Sequence, residues 1–195
     1  RGLDHMPIRT ISERIRVSCL PRASDVAKEW RATHVVSLLD PELDDCHIPA
    51  ITGAEHIVAR LRDQENREAT GHFPNLIESL FETVRPALDL QASRILVHCH
   101  AGVSRSTAFA YAMAAYLAGE GREDEAFSAF MTIVRKPWPN RRIIEILDQH
   151  WERDGALLQP LDRMRALFPR RIEAWRRFNE RRRFHELVPS SRYHR

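Results

Sequence analysis

The chain has 195 residues, of which 43% are hydrophobic and 29% charged, and its formal net charge is +3 at neutral pH. These values are typical of one soluble globular domain with room for a small appendage. Three scattered cysteines exclude a disulfide framework, and the most apolar stretch, 108–118, is too short to cross a membrane. With no secretory signal at its start, we expect a cytoplasmic protein.

Arginine strongly outnumbers lysine, which occurs only at Lys28 and Lys136. This bias indicates a GC-rich, bacterial genome rather than arginines selected one by one for nucleic acid. The first six residues, Arg-Gly-Leu-Asp-His-Met, look like the remainder of a purification tag. The predicted domain therefore begins at residue 7.

Apolar runs predict four strands, at 15–20, 34–39, 55–61 and 94–97. Capping residues and helical spacing predict five helices. The first begins after the cap at Ser24 and Asp25 and ends at about residue 32, and the others cover 74–90, 104–118, 123–135 and 140–153. Because strands alternate with helices, we predict an α/β fold with a mostly parallel central sheet flanked by helices.

Extra C-terminal helices are predicted over 158–187, after Gly155. We therefore predict a main domain, 7–155, and an arginine-rich helical extension, 156–195, packed on it. Residues 151–195 contain 12 arginines and 6 acids, a net charge of +6. The favoured interpretation is that Ile172, Trp175 and Phe178 pack on the core while arginine faces solvent. The alternative is a docking surface for an acidic partner, anionic lipid or nucleic acid.

The most informative stretch is 97–107, Val-His-Cys-His-Ala-Gly-Val-Ser-Arg-Ser-Thr. It joins a predicted strand to a predicted helix, with the thiol of Cys99 at its start and the guanidinium of Arg105 near its end. Backbone N–H groups of such a loop, together with the following helix N-terminus, can bind a phosphate. Gly102 is the residue best suited to a positive φ in so tight a turn.

Each side chain of this loop has a possible chemical role. A helix N-terminus and nearby cations stabilise a thiolate, so Cys99 is the candidate nucleophile. The fork of Arg105 can bind two phosphoryl oxygens. Ser106 can donate to the sulfur as it leaves, and His98 can orient the loop. The loop residues expected to bind phosphate beside Arg105 are His100, Ala101, Gly102, Val103 and Ser104.

This stretch resembles the signature loop of the cysteine-based protein tyrosine phosphatases, and of their dual-specificity branch in particular. The likeness continues through the segment 134–140, Val-Arg-Lys-Pro-Trp-Pro-Asn, and covers about residues 8–153. It departs at Lys136, where that family usually has a second arginine. The resemblance implies hydrolysis of phosphotyrosine, and of phosphoserine and phosphothreonine, in proteins through a cysteinyl-phosphate, with no cofactor and no metal.

The resemblance also implies a general acid, an aspartate on a loop some thirty residues before the cysteine. Asp63 lies 36 residues before Cys99, directly after a predicted strand. Glu65 and Glu68 share its loop and are rivals, and all three could instead be solvated charges. Asn140 either braces the phosphate loop or caps the helix at 140–153.

The sequence leaves the substrate open. No tyrosine precedes the loop to stack on a phosphotyrosine ring, although Phe73, Trp30 or Trp138 could do so. We expect His72 and His100 to be exposed, and His47 and His56 show no metal-ligand spacing with any cysteine.

Expected partners are a phosphorylated protein or another phosphomonoester, with inorganic phosphate or sulfate as further occupants of the loop. Nucleic acid is disfavoured as a partner. The alternatives are a phosphatase of phosphoinositide, nucleotide or RNA phosphates, or a phosphate-dependent binding module with little turnover.

Overall fold

The computed structural model describes residues 8–66 and 72–181. The tag-like residues 1–6, the rival acid Glu68 and the last part of the C-terminal extension lie outside the described residues. The four strands are β1 (Ile15–Cys19), β2 (His34–Leu39), β3 (Glu55–Arg60) and β4 (Ile95–Cys99). The helices are α1 (Ile8–Arg14), α2 (Ala23–Glu29), α3 (Phe73–Asp89), α4 (Arg105–Ala118), α5 (Glu123–Ile133), α6 (Arg141–His150), α7 (Leu158–Leu167) and α8 (Arg171–Arg181).

The described strands form one parallel sheet in the order β1-β4-β2-β3. This confirms the predicted α/β class, with helices on both faces. Strand β4 lies between β1 and β2, and its register pairs Val17 with Val97 and Cys19 with Cys99. Cys99 therefore stands at the carboxyl edge of the sheet, where ligands bind in open parallel sheets.

Alternate residues of β4 face opposite sides of the sheet, as the pleat requires. Ile95, Val97 and Cys99 belong to the main hydrophobic core, whereas Leu96 packs in a smaller cluster with Ala27 of α2. Helix α4 is buried along most of its length. The helix that begins at the phosphate loop is thus the central helix of the core, which fixes the position of the loop.

Helix α1 is not predicted from the sequence, because its seven residues contain too few apolar positions for a period, yet Ile11 is fully buried. Beyond Gly155, Leu161 and Met164 of α7 pack in the main cluster. No helix in the described ranges is long and apolar enough to span a membrane.

Candidate active site

The phosphate loop connects the end of β4 to the first residue of α4. The backbone N–H of Leu20 donates to the carbonyl oxygen of His100 at 3.0 Å, which ties the loop to the end of β1. Gly102 has φ of 72°, and a Cβ there would lie 2.7 Å from the carbonyl oxygen of Ser18. Glycine is therefore required both for its backbone conformation and for the close approach of β1.

Cys99 is at the base of the loop, with only 2% of its surface exposed. Its Sγ lies 3.1 Å from the Oγ of Ser106 in the first turn of α4. The hydroxyl is thus placed where it can donate a hydrogen bond to a thiolate and later to a departing sulfur.

Arg105 is buried, and its guanidinium is held by oxygen atoms of residues that directly follow β2 and β3. Its Nη1 donates to Oδ1 of Asp40 at 2.6 Å and to the carbonyl oxygen of Leu61 at 2.7 Å. Asp40 directly follows β2 and is itself buried. The sequence did not indicate this ion pair. The one local signal was that Asp40 directly follows a predicted strand, because the carboxyl ends of parallel strands share the edge where ligands bind.

The two histidines that flank Cys99 are buried, and His100 is only 1% exposed, so the expectation that it is exposed was wrong. Its Nε2 accepts from the backbone N–H of Asp40 at 3.1 Å. Burial, assisted by the charge of Arg105, lowers the pKa of His100 to about 4. His100 is therefore neutral near neutral pH, and Arg105 supplies the positive side-chain charge of the loop.

His98 lies beneath the loop, and the Ser37 hydroxyl bonds its Nε2. Its Nδ1 is 3.3 Å from the carbonyl oxygen of Cys99. Burial lowers the pKa of His98 to about 4 as well. These contacts place a neutral imidazole under the backbone of the candidate nucleophile, a geometry suited to orienting it.

Asp63 is attached to the phosphate loop by its carboxylate. Its Oδ1 accepts from Ser104 Oγ at 2.7 Å and from Asn140 Nδ2 at 2.8 Å. The Oδ1 of Asn140 accepts from the backbone N–H of Ile143 at 3.1 Å and so caps α6. Asn140 thus combines both roles that the sequence left open, since it also bonds Ser104 through its backbone N–H.

Glu65, the rival acid on the same loop, has a different environment. Its carboxylate accepts from the backbone N–H of Arg141 at 2.8 Å and forms an ion pair with Arg165 of α7. Arg165 also donates to the carbonyl oxygen of Pro139 at 2.6 Å and stacks over the ring of Trp138 at 4.7 Å. Glu65 therefore links the acid loop to the C-terminal extension.

One cavity of about 470 Å³ is lined by Cys99 and Arg105 of the phosphate loop unit and by Asp63. The same cavity is lined by Trp138 and by residues of the extension, namely Arg165, Ile172, Trp175 and Arg176. Of the three aromatic residues considered from the sequence, Trp138 lines this cavity, whereas Trp30 and Phe73 do not.

The favoured interpretation, in which Ile172, Trp175 and Phe178 of α8 pack on the core, holds only in part. Ile172 and Trp175 face the cavity rather than the core, and 45% of Phe178 is exposed. Trp175 donates its indole N–H to the carbonyl oxygen of Lys136 at 2.7 Å. The extension is therefore one wall of the candidate site, which the sequence did not indicate.

Away from the cavity, the potential ligand atoms of Asp44, Cys46 and His47 lie within 4.8 Å of one another. Sequence spacing indicates no pairing of His47 with a cysteine, but the short 3₁₀ turn Asp45–His47 places its Nδ1 3.5 Å from the Sγ of Cys46. All three side chains are exposed, and exposed groups of this kind are common without a metal.

The sequence matches no protein-family model and no curated protein. Several solved structures resemble the chain, among them the human tyrosine phosphatase-like serine/threonine/tyrosine-interacting protein, at 18% identity and a TM-score of 0.54, covering 73% of this chain and 93% of that one. Human DUSP28 is 16% identical with a TM-score of 0.53, covering 75% and 96% of the two chains. The PTP-2 phosphatase of Cydia pomonella is 20% identical with a TM-score of 0.54, covering 71% and 86%.

The fold is the α/β phosphatase fold. In this chain the strand, loop and helix that carry Cys99 and Arg105 lie at the carboxyl edge of the sheet. A quarter or more of this chain lies outside each of these matches.

Proposed function

We propose that this protein is a metal-independent phosphomonoester hydrolase that acts through a cysteinyl-phosphate, with phosphotyrosine in proteins as its substrate. The observation that carries the proposal is that Cys99, Arg105 and Asp63 line the same cavity. Three separate parts of the sequence thus contribute a nucleophile, a cation and an acid to one place. The phosphatase fold of the solved neighbours supports the same activity.

In the first step the thiolate of Cys99 attacks phosphorus in line, and the bond from phosphorus to the leaving oxygen breaks. Asp63 gives its proton to that oxygen, so the product leaves as a neutral alcohol or phenol. Arg105 and the backbone N–H groups of 100–105 stabilise the charge on the other three phosphoryl oxygens.

In the second step the carboxylate of Asp63 takes a proton from water, and the resulting hydroxide attacks phosphorus. The phosphorus–sulfur bond breaks, and inorganic phosphate is released. Ser106, with its Oγ 3.1 Å from the sulfur, donates to the departing thiolate. The proton taken from water restores the acid form of Asp63, and the sulfur leaves as the thiolate of Cys99, so the enzyme is ready for another turnover.

The test is release of inorganic phosphate from a phosphotyrosyl peptide and from p-nitrophenyl phosphate. We expect turnover by the wild type and less than about 1% of it in Cys99→Ser, because removal of a nucleophile costs several orders of magnitude. The matched control is Cys46→Ser, since Cys46 is an exposed cysteine outside the cavity. Turnover of Cys99→Ser above that level would refute the proposed nucleophile.

A phosphate-dependent binding module is the alternative from another class, and one structural neighbour bears the name of a phosphatase-like interacting protein. The same assay separates the two, because a binding module would retain phosphopeptide without releasing phosphate. Parallel assays with phosphoinositide, nucleotide and RNA phosphates test the other substrate classes.

A further inference from the structure

Arg165 of α7 lines the cavity but takes no part in the chemistry proposed above. Its side chain is 16% exposed, and its guanidinium donates to both carboxylate oxygens of Glu65, with Nη1 3.1 Å from Oε2. Nη2 also donates to the carbonyl oxygen of Pro139 at 2.6 Å, and the guanidinium carbon lies 4.7 Å from the centre of the Trp138 ring. One guanidinium therefore holds two segments that are far apart in the chain.

Both residues that Arg165 bonds lie within two positions of the hydrogen bond that holds the carboxyl group of Asp63. The acid loop, 61–66, carries Asp63. From the other segment, Nδ2 of Asn140 donates to Oδ1 of Asp63 at 2.8 Å and to the carbonyl oxygen of Gln64 at 3.2 Å. Arg165 therefore braces this contact from both sides, because its two partners are close in sequence to the donor and to the acceptor.

The acid loop has little apolar contact of its own. Within 61–66, Leu61 is buried and Gln64 is half-buried, whereas the other side chains are exposed. A segment with few buried apolar contacts takes its position from polar contacts and opens at a small cost in free energy. Loss of one strong polar contact should therefore displace this loop without unfolding the rest of the protein.

Helix α7 gives Arg165 a rigid base. Leu161 and Met164 pack in the main hydrophobic core, and Asp162 forms an ion pair with Arg141 through two bonds of 2.8 and 2.9 Å. Asp162 and Arg165 are three positions apart and so lie on the same face of the helix. The guanidinium is therefore held relative to the core, and the acid loop is held relative to the guanidinium.

We propose that Arg165 is a positioning residue for the general acid, because its contacts keep the carboxyl group of Asp63 in the cavity. This inference rests on the proposed function and adds to it a residue of the C-terminal extension. In this role Arg165 touches neither the substrate nor the nucleophile. It acts through Glu65 and Pro139, so protonation of the leaving oxygen depends on α7.

The experiment measures kcat and KM of the full chain carrying Arg165→Gln, in which the shorter side chain cannot bond both segments. For a phosphotyrosyl peptide kcat should fall by about tenfold, less than the full contribution of a general acid, about 10²–10⁴-fold, because the loop still returns to its place. For p-nitrophenyl phosphate kcat should fall by less than about twofold, because its leaving group needs no proton. KM should change for neither substrate, as expected for a group that acts only on the transition state.

The matched control is Arg163→Gln, which removes an arginine two positions earlier on the same helix. Arg163 is paired with Asp124 of α5 and lies outside the cavity, so both kcat values should stay at the wild-type level. Wild-type kinetics of Arg165→Gln, or equal losses of kcat with the two substrates, would overturn the proposal. A raised KM at unchanged kcat would also overturn it, because Arg165 would then be a substrate contact.

The position of the acid loop is also measured without turnover. The side chain of Asn140 is fully buried and bonds Asp63, so its amide protons should exchange slowly with water in the wild type. In NMR spectra these protons should exchange faster in Arg165→Gln and at the wild-type rate in Arg163→Gln, while the backbone amides of β4 stay protected in both. Unchanged exchange in Arg165→Gln would overturn the proposal. Loss of protection in β4 as well would show that Arg165 supports the whole fold, which also overturns it.

The two proposals fail in different ways. A wild type that releases phosphate from neither substrate would refute the hydrolase, whereas the NMR comparison would still test whether Arg165 holds the acid loop. A wild type that hydrolyses both substrates through Cys99, with equal losses of kcat in Arg165→Gln, would refute the positioning role alone.

Discussion

At the residue scale, Asp63 and Glu65 share one loop but have different partners. Asp63 accepts from two neutral donors of the phosphate loop region, Ser104 and Asn140, whereas Glu65 is paired with Arg165. An acid that gives a proton to the leaving group cannot be held permanently by a guanidinium. The geometry therefore favours Asp63 as the general acid.

Asp63→Asn should lower turnover of a phosphotyrosyl peptide by about 10²–10⁴-fold, the usual range for loss of a general acid. Turnover of p-nitrophenyl phosphate should fall much less, because its leaving group needs no proton. The variant should also lose the basic limb of the pH–rate profile and keep the acid limb. Glu65→Gln is the matched control, and a leaving-group dependence seen there instead would place the acid at Glu65.

The buried histidine beneath the loop makes stability depend on pH. The pKa of His98 is about 4 in the folded protein against an ordinary 6.5, because burial, assisted by the positive charge of Arg105, disfavours the protonated ring. Between these two values the unfolded chain binds a proton that the folded chain does not. The free energy of unfolding should therefore fall as the pH drops from about 6.5 toward 4, and His98 should have no effect above that window.

Urea unfolding at pH 7 and pH 4.5 measures this effect. The loss of stability over this range should be smaller in His98→Asn than in the wild type by about 2–3 kcal/mol, which is the part of the pKa shift that falls between pH 7 and pH 4.5, expressed as free energy. His47→Asn removes an exposed histidine and should behave like the wild type. Equal losses in all three proteins would contradict the buried neutral imidazole.

At the element scale, Asn140 joins the start of α6 to the acid loop, and its two roles can be separated. Asn140→Ser retains an oxygen that can cap α6 but loses the donor to Asp63, whereas Asn140→Ala loses both. Both variants should lower turnover of the phosphotyrosyl peptide by about 10- to 100-fold, as for a lost hydrogen bond to a charged group.

Only Asn140→Ala should also lower the free energy of unfolding, by about 1 kcal/mol for the missing cap. Steady-state kinetics and urea unfolding of the two variants provide the comparison. Normal activity of Asn140→Ser would mean that capping α6 is the only function of this side chain.

The sequence predicted the elements that carry their own local signals. The β4–loop–α4 unit was predicted because a strand, a tight loop and a helix follow one another within 25 residues, 94–118. Asp40 was missed because its contact with Arg105 depends on strand order, and local pattern says nothing about which strands are neighbours. Arg105 and Asp40 are 65 residues apart in the chain.

At the scale of the whole molecule, the C-terminal extension is divided between core and site. Leu161 of α7 is fully buried in the main cluster, whereas 73% of Leu167 at the end of the same helix is exposed. Leu161→Ala should therefore lower the free energy of unfolding by about 2–5 kcal/mol. Leu167→Ala should change it by less than about 0.5 kcal/mol. Similar values for both variants in urea unfolding would show that α7 is not part of the core.

The role of the extension in the cavity could not be predicted from sequence. Its arginines form a charge run with no local sign of a partner, and Arg165 meets Glu65 across 100 positions of the chain. Fold class follows from the alternation of apolar strands and helices, which is a local property. The position of an appended helix, in contrast, depends on packing between segments that are distant in the chain.

The register that pairs Cys19 with Cys99 has a consequence for oxidative damage. Paired residues of neighbouring strands lie about 5 Å apart, within the Cα separation of a disulfide. Val17 and Cys99 both pack on the main core, and Cys19, two residues after Val17, therefore lies on the same face of the sheet as Cys99. Hydrogen peroxide converts a reactive thiolate to a sulfenic acid. The thiol of Cys19 can then attack that sulfur, releasing water and forming a disulfide that dithiothreitol reduces.

Peroxide-treated wild type and Cys46→Ser should therefore regain activity with dithiothreitol, whereas Cys19→Ser should be oxidised further and stay inactive. Equal recovery of activity in Cys19→Ser would exclude this protection.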